Sequence, residues 1–172
     1  KDLKSSNKMF RLLQGDVGTG KTIVSLMVAS NVIESNFQTA FMAPTEILAD
    51  QHYALAKTIF KGTSIKIGLL TGKTKDSNKK IIINKLLKGK INLLIGTHAL
   101  FQRNVCFKNL GLVIIDEQHK FGVKQRLELA YKGGDNCDIL LMSATPIPRT
   151  LILTLYGDMD ISKLIEKPSY RK

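Results

Sequence analysis

Residues 15–22 read GDVGTGKT and fit the spacing G-x-x-x-x-G-K-[ST], with Gly15, Gly20, Lys21 and Thr22 on the fixed positions and Asp16, Val17, Gly18 and Thr19 among them. The spacing suits phosphate binding. A triphosphate needs many donors close together, and backbone N–H groups supply them only where the chain wraps tightly. Glycines allow that wrap because they tolerate positive φ and carry no Cβ to obstruct the anion. A helix beginning at the end of the loop would add free N–H groups and a partial positive charge. Lys21 is then expected to reach the β- and γ-phosphates, and the Thr22 hydroxyl to hold Mg²⁺.

A second stretch, LVIIDEQH at 112–119, completes this chemistry. Its apolar run predicts a buried strand with two carboxylates at its end. Asp116 can hold Mg²⁺ through the ion's hydration shell, because Mg²⁺ keeps several waters and uses few carboxylates. Glu117 is placed to accept a proton from an attacking water. His119 is expected to link the carboxylates to the SAT stretch at 143–145. The spacing of His52, His98 and His119 does not suit a metal site, so no zinc is expected.

The elements that must position these residues alternate along the chain. Short, nearly continuous apolar runs predict strands around Leu12 and Leu13 and at 38–43, 65–70, 91–96, 112–115 and 138–144. Helical patterns follow the glycine-rich loop and recur at 45–60, 75–88 (with Ile81, Ile82, Leu86 and Leu87 inward), 123–132 and 148–157. This is an α/β domain with a mostly parallel central sheet and helices on both faces. Ligands of such sheets bind at the carboxyl ends of the strands. Small, hydroxylic and acidic residues collect at those predicted ends: Pro44, Thr45 and Glu46; Thr71 and Gly72; Gly96, Thr97 and His98; Asp116 and Glu117; Ser143, Ala144 and Thr145.

The 172 residues suffice for one domain with its own core. A hydrophobic fraction of 44% with 23% charged residues is that of a soluble globular chain, and no apolar run approaches the ~20 residues of a membrane helix. No signal peptide is visible, and Cys106 and Cys137 read as reduced residues of a cytosolic protein. Lys and Arg number 26 against 14 Asp and Glu, a net charge of +12 that favours a nucleic-acid partner over an acidic membrane surface. The lysine-rich stretch 73–90 is either a DNA-facing surface or the solvated side of an amphipathic helix.

Taken in order, GDVGTGKT, APTEILADQH, GTHALFQ, DEQHKFGVKQR and SATPIPRTL resemble the superfamily-2 DNA helicases, and within them the RecG family, from about residue 11 to the C-terminus. The Mfd translocases of transcription-repair coupling are similar, but usually carry Glu where this chain has Gln118. The resemblance implies a RecA-like P-loop NTPase fold, ATP and Mg²⁺ as cofactors, and DNA repair and recombination as the setting. It implies that Gln118 and His119 join Asp116 and Glu117 in the nucleotide site. Ser143, Ala144 and Thr145 would couple nucleotide state to DNA, and the 44–46 and 96–98 stretches would touch the DNA backbone. Lys120 replaces the family's usual Arg, keeping charge but losing the planar fork.

Residues 1–10 are expected to be a truncated lead-in, 11–160 the first motor domain, and 161–172 the start of a linker to a second motor domain. That domain, with its arginine finger, and a junction-recognising wedge domain are the implied partners, together with branched or forked DNA. A bacterial, cytoplasmic monomer that hydrolyses ATP poorly by itself is the expectation. The competing class is a different P-loop enzyme such as a small-molecule kinase, which Glu117 and the 143–145 stretch disfavour.

Overall fold

The computed structural model describes residues 8–117, 132–134, 137–145 and 159–165. Within them, alternate residues of each strand point to opposite sides of one sheet. Strand β1 is Phe10–Gly15, β2 Gln38–Met42, β3 Ile67–Leu70, β4 Leu93–Gly96, β5 Leu110–Ile115, β6 Asp138–Ser143 and β7 Asp160–Leu164. They pair in the order β3-β4-β2-β5-β6-β1-β7, and every pairing is parallel. The expected mostly parallel sheet is therefore wholly parallel among the described residues.

Among the described residues, three α-helices cover this sheet: α1 (Lys21–Glu34), α2 (Glu46–Ile59) and α3 (Asp76–Leu87). Leu13, Phe41, Leu93, Ile95, Leu112, Ile114, Leu140 and Met142 pack with Leu26, Ala29 and Val32 of α1 and Ala49 and Ala56 of α2. The alternate residues Leu12, Ala40, Met42, Leu94, Val113, Ile115, Ile139 and Leu141 pack on the other side with Leu86 of α3. Burial on both faces explains why β4 and β5 read as unbroken apolar runs and why β2 is apolar from Ala40 onwards.

The structure departs from the sequence reading in several places. In α3, Ile81 is 52% and Leu87 55% exposed, whereas Ile82, Ile83 and Leu86 face the core. The 100° step of the helix lets 82, 83 and 86 share one stripe and leaves 81 and 87 on its flanks. Residues 160–164, expected at the domain end and the start of a linker, form edge strand β7 against β1. That strand pairs along one edge only and none of its residues is buried, so it lacks the apolar run that marks a central strand. The guanidinium of Arg11 anchors it, donating to Ser162 Oγ at 2.8 Å and to Asp160 Oδ2 at 3.2 Å. The lead-in is also shorter than expected. Phe10 opens β1, and the buried Met9 donates its N–H to Asp138 Oδ1 at 2.7 Å. A 3₁₀ turn at His98–Phe101 follows β4. The expected helix at 148–157 lies outside the described residues, as does that at 123–132 except for Lys132.

One buried polar side chain joins the far ends of three elements. The Gln38 amide donates to the carbonyls of Leu86 at 2.9 Å and Ile91 at 2.7 Å, and its Oε1 accepts the N–H groups of Lys108 at 2.7 Å and Asn109 at 2.9 Å. Gln38→Leu leaves all these backbone groups without that partner. We expect a loss of at least ~3 kcal/mol in denaturant unfolding, with the m-value unchanged.

The two thiols differ in environment. Cys106 is exposed, whereas Cys137 is buried and its thiol is pushed up to about 12 by desolvation. At pH 8 Cys137 is therefore held as the neutral thiol. Thiol labelling of the native protein should show Cys137 reacting at least ~100-fold more slowly than Cys106, and at a comparable rate once unfolded.

Candidate functional site

Parallel register carries the ends of the strands to one edge. Leu70 pairs with Gly96, Gly96 with Met42, Met42 with Ile115, Ile115 with Leu141, and Gln14 with Ser143. The residues that follow these pairs are the ones the sequence singled out, so all five candidate stretches and the glycine-rich loop stand along this edge. A side-chain tie joins two of them: Gln14 Nε2 donates to the carbonyl of Thr145 at 3.1 Å.

The loop closes from Gly15 at the end of β1 to Gly20 before α1. Gly18 at φ 88° and Gly20 at φ 86° take the left-handed conformation that side chains disfavour. Gly15 is required for a different reason. A Cβ there would stand 2.7 Å from Thr19 Oγ1 and 2.9 Å from the Leu164 carbonyl of β7. Thr19 is buried and its hydroxyl donates to the Asp16 carbonyl at 2.8 Å, which closes the turn. The ammonium of Lys21 spans the loop, donating to the carbonyls of Gly15 at 2.5 Å and Asp16 at 2.9 Å. Helix α1 starts with no side-chain cap and no acidic residue in its first turn. Its N-terminal donors are thus left to an external anion. Val17 is 81% exposed, and Thr22 is half-buried in the first turn.

Asp116 emerges from β5 almost fully buried, with its N–H donated to the Met42 carbonyl at 2.9 Å. Its Oδ1 accepts the N–H of Glu117 at 3.0 Å. Its Oδ2 lies 2.8 Å from Nε2 of His52, a buried residue of α2. Glu117 turns the chain at φ 44°, a left-handed conformation uncommon outside glycine and found where a site over-determines the backbone. Sequence reasoning had set His52 aside as remote from the other histidines. The only signal available was a histidine on the apolar stripe of a helix, which is ordinary in a core. Gln118 and His119 lie outside the described residues.

The other strand ends are built mainly from backbone and buried hydroxyls. Thr45 caps α2, its Oγ1 accepting the Leu48 N–H at 3.3 Å, beside half-buried Pro44. Glu46 braces the neighbouring turn: its Oε2 meets Lys73 Nζ at 2.8 Å and its Oε1 accepts the Lys73 N–H at 3.1 Å. The side-chain contact between the two lowers the Glu46 carboxyl and raises the Lys73 amine from their usual ranges. Thr71 is buried and its N–H donates to Thr74 Oγ1, while Gly72 and His98 are exposed. Thr97 is buried. Gly96 admits no side chain, since a Cβ would fall 2.0 Å from the Leu70 carbonyl. The Ser143 hydroxyl lies 3.1 Å from Thr145 Oγ1 and accepts the Thr145 N–H at 3.2 Å, folding the 143–145 turn around half-buried Ala144.

This donor set fits a nucleoside triphosphate with Mg²⁺. Left-handed glycines, an uncapped helix start and the Lys21 ammonium suit the phosphates, and Thr22 and Asp116 offer hard oxygens suited to the ion. A parallel sheet with this cradle after β1 and a buried aspartate two strands away defines a P-loop nucleotide-binding α/β domain.

The chain belongs to the DEAD/DEAH box helicase family, whose model matches residues 2–153. It is 53% identical over 171 residues to the ATP-dependent DNA helicase RecG of Thermotoga maritima, covering 99% of this chain and 22% of that protein. It is 49% identical over 171 residues to the RecG of Bacillus subtilis, covering 99% and 25%. The solved structure of RecG bound to a three-way DNA junction is 49% identical, superimposes with a TM-score of 0.83 and is covered to 23% by this chain. A DEAD box protein from Methanococcus jannaschii, at 22% identity and a TM-score of 0.71 with 94% of this chain and 46% of that one covered, shares the fold. The chain thus spans about a quarter of the length of the curated relatives it matches.

Because Gly15 touches β7 as well as the loop, Gly15→Ala should both strain the cradle and loosen the edge strand. Overpacking of this kind costs ~1–3 kcal/mol. We expect a lowered melting temperature and at least ~10-fold weaker binding of a fluorescent ATP analogue in titration.

Proposed function

We propose that this chain is the first RecA-like ATP-binding motor domain of a helicase that remodels branched DNA, as in fork reversal and junction migration. The observation that carries the reading is the half-identity to RecG over 99% of the chain, combined with the close superposition on a RecG bound to a three-way junction. The phosphate cradle and the buried Asp116 are consistent with it.

The loop from Gly15 to Thr22 binds the phosphates, with Asp16, Val17, Gly18 and Thr19 shaping the wrap and Lys21 neutralising charge at the β- and γ-positions. Thr22 and Asp116 hold Mg²⁺, which offsets phosphate charge when bound. Glu117, with its carboxylate next to Asp116 in the chain, accepts the proton of the attacking water. Gln118 and His119, outside the described residues, are assigned to nucleotide binding by the likeness to RecG. Ser143, Ala144 and Thr145 relay nucleotide state towards DNA, a role supported by the Gln14–Thr145 contact between their turn and the strand that carries the loop.

Pro44 with Thr45 and Glu46, Thr71 with Gly72, and Gly96 with Thr97 and His98 form the DNA-backbone edge. Exposed backbone there can meet phosphates without reading bases. Glu46 serves by holding Lys73 at that edge rather than by touching DNA itself, because its carboxylate is already paired. Lysines 75, 80, 85, 88 and 90 are exposed along and beside α3, so the basic stretch is available to a polyanion.

The working motor also needs a second motor domain with an arginine finger and a wedge domain for the junction, which would belong to the three-quarters of the relatives' length that this chain does not cover. It would act as a monomer in the bacterial cytoplasm. No described helix is long and apolar enough to cross a membrane.

An arginine finger is worth ~10³–10⁵ in rate. The 172 residues alone should therefore bind Mg-ATP through Lys21 and turn it over very slowly, with or without forked DNA. Hydrolysis assays beside a Lys21→Ala control test this. Vigorous DNA-stimulated turnover by the chain alone would overturn the two-domain mechanism.

A further inference from the structure

Helix α2 lies against the sheet on small residues. Ala49 and Ala56, one turn before and one turn after His52, are fully buried, so the helix backbone comes close to the strands beneath. His52 projects from that inner face. Its ring rests on Phe41 of β2, with centroids 4.8 Å apart and planes tilted by 45°. Only 9% of its side chain is exposed. A ring so enclosed has little freedom to rotate.

The imidazole meets one group of functional importance, the Asp116 carboxylate. An ionised carboxylate only accepts hydrogen bonds, so the nitrogen 2.8 Å from Oδ2 must carry the proton. Oδ1 is held from the other side by the Glu117 N–H, and the Asp116 backbone is held by Met42. Each carboxylate oxygen therefore has one protein donor. Its remaining acceptor capacity is left for a ligand.

We propose that His52 is a positioning residue for Asp116, fixing from α2 the orientation in which this carboxylate meets the metal ion of the nucleotide. The inference rests on the ATP-site reading above. A carboxylate tied at one oxygen only can swing about its side-chain bonds, and each new orientation must be reversed before an ion or its bound water is met. Donors standing behind a metal-ligating group characteristically affect affinity or activity by ~10–100-fold when removed. His52 does this from a separate element, 64 residues away in sequence. The bland alternative is that it merely satisfies a buried carboxylate and packs the helix.

The two readings separate in the full-length protein. The measured quantity is the affinity of a fluorescent ATP analogue with Mg²⁺ and with the ion chelated, whose ratio is the metal-dependent gain in binding. Variants are His52→Leu, which fills the space without a donor, and His52→Gln, whose amide nitrogen lies about as far from the backbone as imidazole Nε2. Asp116→Ala serves as the reference. We expect His52→Leu to cut the metal-dependent gain by at least ~10-fold while leaving metal-free affinity intact, and His52→Gln to restore most of it.

A His52→Leu protein with the wild-type gain overturns the inference. So does a loss that His52→Gln fails to restore alongside a lowered melting temperature, because His52 is then a packing residue. If Asp116→Ala itself keeps the wild-type gain, the fault lies in the metal-site reading, and the inference falls with it.

Discussion

The described candidate residues reach the site through the parallel pairing of the central strands. A parallel ladder sends all the chains in one direction, so everything that follows a strand emerges on the same edge. In this protein the pairs Gly96–Met42–Ile115–Leu141, together with Gln14–Ser143, line up the ends that carry the glycine-rich loop, the acidic turn and the hydroxylic turns. A shift of one residue in a single strand would reverse which face its side chains bury. Two-sided burial makes that shift costly, and thus the apolar core on both faces protects the geometry of a polar site at its rim.

The rim itself is held by hydrogen bonds across strands rather than by surface charge. Asp116 is fixed by Met42, Glu117 and His52, and the 143–145 turn is fixed by Gln14 and by its own hydroxyls. The exposed Glu46–Lys73 pair and the Arg11–Asp160 pair have a different part. Such surface pairs contribute little stability, but they hold a turn and an edge strand at a given place. Glu117 takes a left-handed φ directly beside the carboxylate that it helps to hold, whereas the other described non-glycine residue in that region, Asn36, lies in the turn before β2.

Much of this was legible from residue types alone. The central strands were plain because strands covered on both sides are largely apolar, as β4, β5 and the 40–42 stretch of β2 are. Strand β7 was not plain, since this edge strand, paired with β1 alone, carries Asp160, Ser162 and Lys163 among its five residues and reads as a linker. In α3, short apolar runs such as IIINKLL are ambiguous in phase, and packing chose Ile82, Ile83 and Leu86 over Ile81 and Leu87. Gln38 looked like the polar start of a strand, and nothing local revealed that its amide would be shared by four backbone groups.

The phosphate cradle could be read without coordinates because its chemistry is local: a tight turn, a lysine and a hydroxyl must be contiguous to wrap one anion. The acidic turn was similarly visible as carboxylates ending an apolar run. Long-range contacts left no such mark. The His52–Asp116 hydrogen bond joins a helix to a strand across 64 residues, and the contact of Gly15 with Leu164 joins the cradle to the last described strand. Contacts of that kind depend on how closely helices and strands approach once packed. Spacing along a chain carries no information about that distance, so folding alone brought these residues together.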